Sequence, residues 1–300
     1  MSKLSLREQY KDLFADLSKV SIESSTISDE NVYQVANPKT RVFMDVLVSD
    51  NTTPDSFIGG VENFEKLYDL VQEGKSGLIL MEHYSNTDLP AFCYLLEKSG
   101  NPKLEALSKN IVAIAGMKLN QDNPVVKAFA ESFTRVVIYP PRSLSKVEAD
   151  GQSAEMIKAE EQKARKINMA AMRAMDECKR RGQVILVFPS GTRYRPGHPD
   201  TKRGLREIDS YLRLFDYMVL VSVNGSILEI QDEDMLNDLV SPARQAFTAS
   251  PVIDCKAFRS DFMATLPPET EDPKQKVIDH VMELLEEQHE TVKKEYGFNH

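Results

Sequence analysis

Cysteine is scarce in this chain, with three in 300 residues: Cys93, Cys178 and Cys255. An odd, scattered set with no histidines beside it supports neither a disulfide framework nor zinc-ligand spacing, so the three read as buried thiols of a cytosolic protein. Long apolar runs are missing too. None approaches the roughly 18–20 residues that a membrane-spanning helix needs. The opening stretch, MSKLSLREQYKDLFADL, carries acids in amphipathic spacing and lacks the form of a signal or transit peptide. The expected location is the cytoplasm, with peripheral contact to a membrane kept open. Positive charge is in deficit: 37 Lys and Arg against 46 Asp and Glu leave a net charge of −9. That balance argues against a general nucleic-acid binder.

What is present is a globular composition, 41% hydrophobic and 28% charged, with enough chain for a substantial core. Residues 3–20 read as a helix, with Leu4, Leu6, Tyr10, Leu13, Phe14 and Leu17 near helical spacing. Residues 21–57 are polar and interrupted by Pro38 and Pro54, and only 41–48 look ordered there, as a strand or short helix. A second helix fits 61–73, with Gly74 where a terminating glycine is expected. From Ser76 onward, apolar runs at 78–81, 111–115, 136–139, 184–188 and 218–223 alternate with helices. That alternation predicts a mostly parallel mixed sheet flanked by helices. The longest helix is expected over 153–181, where Lys179, Arg180 and Arg181 complement the dipole of its last turn. Residues 231–271 look irregular, and 273–296 form a final amphipathic acidic helix. The expected organisation is a small helical N-terminal region over 1–58 and an α/β domain over 59–300.

His83 and Asp88 lie five residues apart, directly after Leu78-Ile79-Leu80-Met81. On one helix they would point apart. Across a strand-to-helix turn they can meet, and Asp88 can then accept the Nδ1 proton and leave Nε2 as a base. A strand ending on a histidine also sets the imidazole at the sheet edge where α/β proteins bind ligands. The fourth run ends in Pro189-Ser190-Gly191-Thr192-Arg193-Tyr194-Arg195-Pro196. Two arginines at i and i+2 in a loop can both grip one dianion, since guanidinium forks bond phosphate oxygens in pairs. Backbone N–H groups near Gly191, or at the helix start after Asn86, are candidate donors to an oxyanion. Ser190 with His83 also spells a serine hydrolase, although Pro-Ser-Gly lacks the G-x-S-x-G elbow. The solvated-turn reading, in which the arginines merely pair with surface acids, stands beside these.

The ordered pair of motifs, H-x-x-x-x-D after a strand and then F-P-x-G-T-R about a hundred residues on, resembles the glycerolipid acyltransferase superfamily. The likeness is greater to its soluble chloroplast-type glycerol-3-phosphate acyltransferases, which have P-S-G-G-R-D-R-P where this chain reads PSGTRYRP. It covers about residues 60–225. The resemblance implies His83 as general base, Asp88 as its orienting partner, and Arg193 and Arg195 as the glycerol-phosphate clamp. Arg142 falls where a lysine stands in that family and Ser143 where a histidine stands, so both are candidate phosphate contacts. Glu82 replaces the usual Asn before the histidine.

The implied activity is glycerol-3-phosphate 1-O-acyltransfer from a thioester on acyl carrier protein or coenzyme A, with no metal and no cofactor beyond that co-substrate. Lysophosphatidate acylation and a non-catalytic acyl-carrier or phosphate-binding protein of the same fold are the alternatives. Lys158, Lys163, Arg165, Lys166, Lys179, Arg180, Arg181, Lys202 and Arg203 suit an acidic carrier, the phosphates of coenzyme A, or an anionic membrane surface. Met117, Phe129, Met169, Met172 and Met175 could line an acyl slot, with core packing as the plainer role for each.

Overall fold

A computed structural model describes residues 3–22, 26–117, 119, 124–140, 143, 153–231 and 235–298. Its strands in chain order are β1 (Tyr33–Gln34), β2 (Phe57–Gly59), β3 (Gly77–Met81), β4 (Ile111–Gly116) and β5 (Arg135–Ile138). They continue with β6 (Val184–Val187), β7 (Tyr217–Asn224), β8 (Leu228–Glu229), β9 (Leu239–Val240), β10 (Ala246–Ala249) and β11 (Ile253–Asp254). The chain folds as two compact units, each drawn from separated segments. The first holds 1–11, 45–111 and 182–300, and the second 12–44 and 112–181. The 1–58 segment is therefore shared between them.

In the first unit β3 is central, parallel to β6 on one side and to β7 on the other. Leu78, Ile79, Leu80 and Met81 are all fully buried. A strand covered on both faces is why the run is continuously apolar rather than alternating. Each such side chain contributes about 1.5–3 kcal/mol. Beyond β7 the sheet turns mixed: β10 and β11 pair with β7 antiparallel, and β2 joins β10 in parallel. The helices Val61–Gln72, Asp88–Lys98 and Pro273–Tyr296 belong to this unit. The last of them buries Val277, Ile278, Val281, Leu285, His289 and Val292 at helical spacing.

In the second unit β5 runs parallel to β4 and antiparallel to β1. The helix Ala154–Arg180 is capped by Ser153, which accepts from the Met156 N–H, and buries Ala164, Ile167, Ala170, Ala171, Met175 and Cys178. Asn168 on that helix bonds both the N–H and the C=O of Tyr139, at 2.8 and 3.0 Å, and so completes the end of β5. Two of the basic residues at its C-terminal end are paired locally, Lys179 with Asp176 and Arg181 with Glu177.

The fold is α/β with mixed sheet flanked by helices, as the alternation of runs and helices predicts. Differences are local. The segment 3–20 is two helices, Leu6–Gln9 and Lys11–Val20, because a Ser5–Glu8 capping box starts a short first one that ends at Tyr10. Residues 41–48 sit inside the helix Pro38–Asn51. The 231–271 stretch is not irregular throughout: it carries β9, β10, β11 and the helix Cys255–Thr265. That helix buries only Cys255, so it leaves no apolar periodicity to read. Among the described residues, no helix is long and apolar enough to cross a membrane.

Candidate active site

Met81 ends β3, residues 82–87 turn, and Asp88 opens the helix Asp88–Lys98. Across that turn His83 Nδ1 lies 2.9 Å from Asp88 Oδ2. The Asp88 side chain is fully buried and the His83 ring is 15% exposed. Asp88 Oδ2 also accepts the N–H groups of Tyr84, at 2.6 Å, and Ser85, at 2.8 Å, while Oδ1 accepts the Ser85 hydroxyl at 2.9 Å. Bonds to a charged acceptor are about twice as strong as neutral ones. Its place in the first helical turn also favours a carboxylate. With Asp88 accepting, Nδ1 carries a proton, and in the neutral tautomer that this selects the lone pair falls on Nε2. Nε2 has no hydrogen-bond partner among the described residues. The ring is held flat by Phe188, stacked at 3.9 Å and 17°.

Phe188 begins the second loop, which follows β6. The two loops are joined directly, since the Tyr194 N–H donates to the His83 carbonyl at 2.7 Å. Arg193 Nη1 donates to Asp238 Oδ2 at 2.6 Å, an ion pair with 11% and 0% of the side chains exposed. The second oxygen of Asp238 accepts the Gln231 N–H at 2.9 Å. Arg195 is anchored by its backbone N–H on Thr201 Oγ1, at 2.9 Å, and its guanidinium has no partner among the described residues. The Ser190 hydroxyl donates to the Thr192 carbonyl at 2.7 Å, so its proton faces the backbone rather than an imidazole.

Gly191 has φ +63°, and a Cβ there would lie 2.3 Å from Leu205 Cδ1. Its N–H donates to the Phe188 carbonyl at 2.9 Å, closing the turn, and is thereby taken from any oxyanion. The amides of Asn86, Thr192 and Arg193 have no acceptor among the described residues. Gly191→Ala combines a left-handed strain with a side-chain clash, each worth about 1–3 kcal/mol. Denaturant unfolding should show a loss of about 2 kcal/mol or more, with reduced turnover as Phe188 shifts.

Glu82, beside His83 in sequence, points elsewhere. Its Oε2 accepts the Val223 N–H at 2.9 Å and lies 3.0 Å from His289 Nδ1, and its Oε1 accepts the Tyr84 hydroxyl at 3.0 Å. Burial first, and then the Glu82 charge, push the Tyr84 phenol far above its ordinary pKa, so it remains a donor. Lys202 lies over the rings of Tyr84 and Tyr194, at 5.7 and 5.4 Å, and pairs with Glu286. His289, Glu286 and Asp238 are residues that sequence reasoning missed. Nothing local to Glu82 or Arg193 signals partners 207 and 45 positions away.

Ser143 is nearly buried in the second unit and its N–H donates to the Pro140 carbonyl at 2.9 Å. Arg142 lies outside the described residues. Of the acyl-slot candidates Met117, Phe129 and Met175 are buried, whereas Met169 and Met172 are 53% and 50% exposed, so core packing does not account for those two. All three cysteines are buried and free. Burial pushes the Cys178 and Cys255 thiols up to about 11 and about 12, which keeps them protonated and inert.

Residues 59–219 match the model of the acyltransferase family. The chloroplast glycerol-3-phosphate acyltransferase of Arabidopsis thaliana is 28% identical over 148 residues, 49% of this chain and 29% of the relative. The corresponding protein of Carthamus tinctorius is 26% identical over 173 residues, 56% of this chain and 34% of the relative. The matched stretch thus spans about a third of the length of these curated relatives. With more than half of its residues under the family model, and that stretch carrying both loops, the chain belongs to the acyltransferase family.

Proposed function

We propose that this protein transfers a fatty acyl group from a thioester to the sn-1 hydroxyl of glycerol 3-phosphate. The observation that carries the proposal is the 2.9 Å His83–Asp88 bond, with Tyr194 tying the two-arginine loop to the same histidine. The acceptor hydroxyl is far too weak an acid to attack unaided. His83 Nε2 removes its proton as the oxygen adds to the thioester carbonyl, and Asp88 stabilises the imidazolium that forms. The carbonyl oxygen becomes an oxyanion. With the Gly191 amide engaged, the free amides of Thr192, Arg193 and Asn86 are the donors suited to receive it. The tetrahedral adduct then collapses by breaking its C–S bond. The leaving thiolate, conjugate base of a thiol with a pKa of about 8.5, departs readily and takes from His83 the proton that came from the acceptor hydroxyl. Arg195 and the outer edge of Arg193 hold the phosphate.

The named relatives support glycerol 3-phosphate as acceptor over lysophosphatidate. Acyl carrier protein is the donor we favour, with Lys202 and Arg203 among the cations that would meet its acidic surface. A transfer assay that crosses two acceptors with two donors, acyl carrier protein and coenzyme A thioesters, tests all of this. Product with glycerol 3-phosphate, and none with lysophosphatidate, is expected. Turnover only with lysophosphatidate would replace the acceptor, and no transfer in any of the four combinations would remove the catalytic role.

A further inference from the structure

We infer that the C-terminal helix (Pro273–Tyr296) sets the geometry of the catalytic loop through a buried Glu82–Tyr84–His289 knot. In it Glu82 and His289 are positioning residues for His83. The activity part of this inference rests on the acyl transfer proposed above; the geometry does not.

Tyr84 is held at both ends. Its backbone N–H makes the shortest bond to Asp88, 2.6 Å, and its hydroxyl donates to Glu82 Oε1 at 3.0 Å. His289 Nδ1 is 3.3 Å from that same hydroxyl oxygen and 3.0 Å from Glu82 Oε2. Glu82 and His289 are 3% and 6% exposed. From β7, Val223 donates its N–H to Glu82, and the Asn224 side chain donates to the His289 carbonyl at 3.1 Å. Strand, catalytic loop and helix therefore meet at one carboxylate. A shift of the helix moves the Tyr84 hydroxyl, and with it the N–H that holds Asp88 against His83.

Apolar residues would dock the helix equally well. Val277, Ile278, Val281, Leu285 and Val292 already do so. Removing a carboxylate from water is costly, so a buried polar knot adds little net stability over packed hydrocarbon. What it adds is direction, since hydrogen bonds fix an orientation and apolar contacts do not. The second loop leans on the same stretch of helix. Lys202 sits against the Tyr84 and Tyr194 rings and pairs with Glu286, three residues before His289. Tyr84 meets Tyr194 edge-on at 5.9 Å and 84°. Dyad loop and arginine loop thus take their register from residues 286–289.

The test compares His289→Leu, Tyr84→Phe and their double variant with Val281→Ala, a buried change two turns earlier on the same helix. Steady-state kinetics below the melting temperature should show kcat lowered about tenfold in both tether variants with KM little changed, because small displacements of a base cost rate rather than binding. The double variant should be no slower than the slower single one. Val281→Ala should lose thermal stability and keep its kcat. His289→Gln, whose amide can donate to Glu82, should recover part of the rate. A folded His289→Leu protein with wild-type kcat would overturn the tether, as would an equal fall in Val281→Ala. Imidazole spectra of the ¹⁵N-histidine-labelled protein supply a readout independent of chemistry. The His83 Nδ1 proton held by Asp88 should broaden or shift in His289→Leu and Tyr84→Phe. An unchanged His83 signal in both would overturn the tether even if the wild type transfers no acyl group, whereas a changed signal with no transfer would sink only the acyl-transfer proposal.

Discussion

Replacing His83 with alanine is expected to lower kcat for acyl transfer by about 10³-fold, within the range that a positioned general base contributes. Binding of glycerol 3-phosphate should survive, because the proposed phosphate contacts lie on the other loop. The ring is 15% exposed and packs on Phe188, so the substitution should cost some stability without unfolding the protein. Asp88→Asn should approach the same loss by a different route. Oδ2 faces Nδ1 and the amides of Tyr84 and Ser85 together, so a carboxamide oxygen kept there lacks the charge that stabilises the imidazolium, whereas an NH₂ turned there drives the imidazole proton onto Nε2. The base is then either unsupported when protonated or present in the wrong tautomer. Kinetics with one acceptor and one donor, read beside a melting curve for each variant, separate lost chemistry from lost fold. If His83→Ala retains wild-type turnover, the mechanism is wrong at its first step.

The His83–Asp88 contact was legible in the sequence because both partners lie within one strand-to-helix turn, where local geometry alone brings them together. The five apolar runs were legible for a similar reason: burial on both faces leaves an uninterrupted signature. The short β10 and the helix Cys255–Thr265 have no such signature, since four residues and one buried side chain carry no period. Glu82 was the visible anomaly, a carboxylate next to the histidine, but its resolution is non-local. Without the helix that delivers His289, no rule could decide whether Glu82 faces His83 or turns away. The arginine pair shows the same limit. Its spacing raised the expectation of a doubly charged ligand, yet the different surroundings of Arg193 and Arg195 depend on Asp238, 45 residues later.

That difference leads to unlike outcomes for two arginines that the sequence presents as equivalents. Arg195→Ala removes a guanidinium with no protein partner among the described residues, so the fold should be indifferent. A charge-assisted hydrogen bond contributes about 1.5–3 kcal/mol, which corresponds to a rise in KM for glycerol 3-phosphate of about 10- to 150-fold. Arg193→Ala additionally takes the guanidinium from Asp238, whose side chain is fully buried. Breaking a buried pair from one side costs about 3–5 kcal/mol, so this variant should lose stability as well as affinity. The double variant Arg193→Ala with Asp238→Asn removes the charge that has lost its guanidinium. Urea unfolding should then recover much of the lost stability while KM stays high, since the amide repairs the core and supplies nothing to the phosphate. If Arg195→Ala leaves KM unchanged, the phosphate is held elsewhere and the clamp must be reassigned. If the double variant restores KM together with stability, Arg193 serves the fold alone and its contact with substrate is refuted.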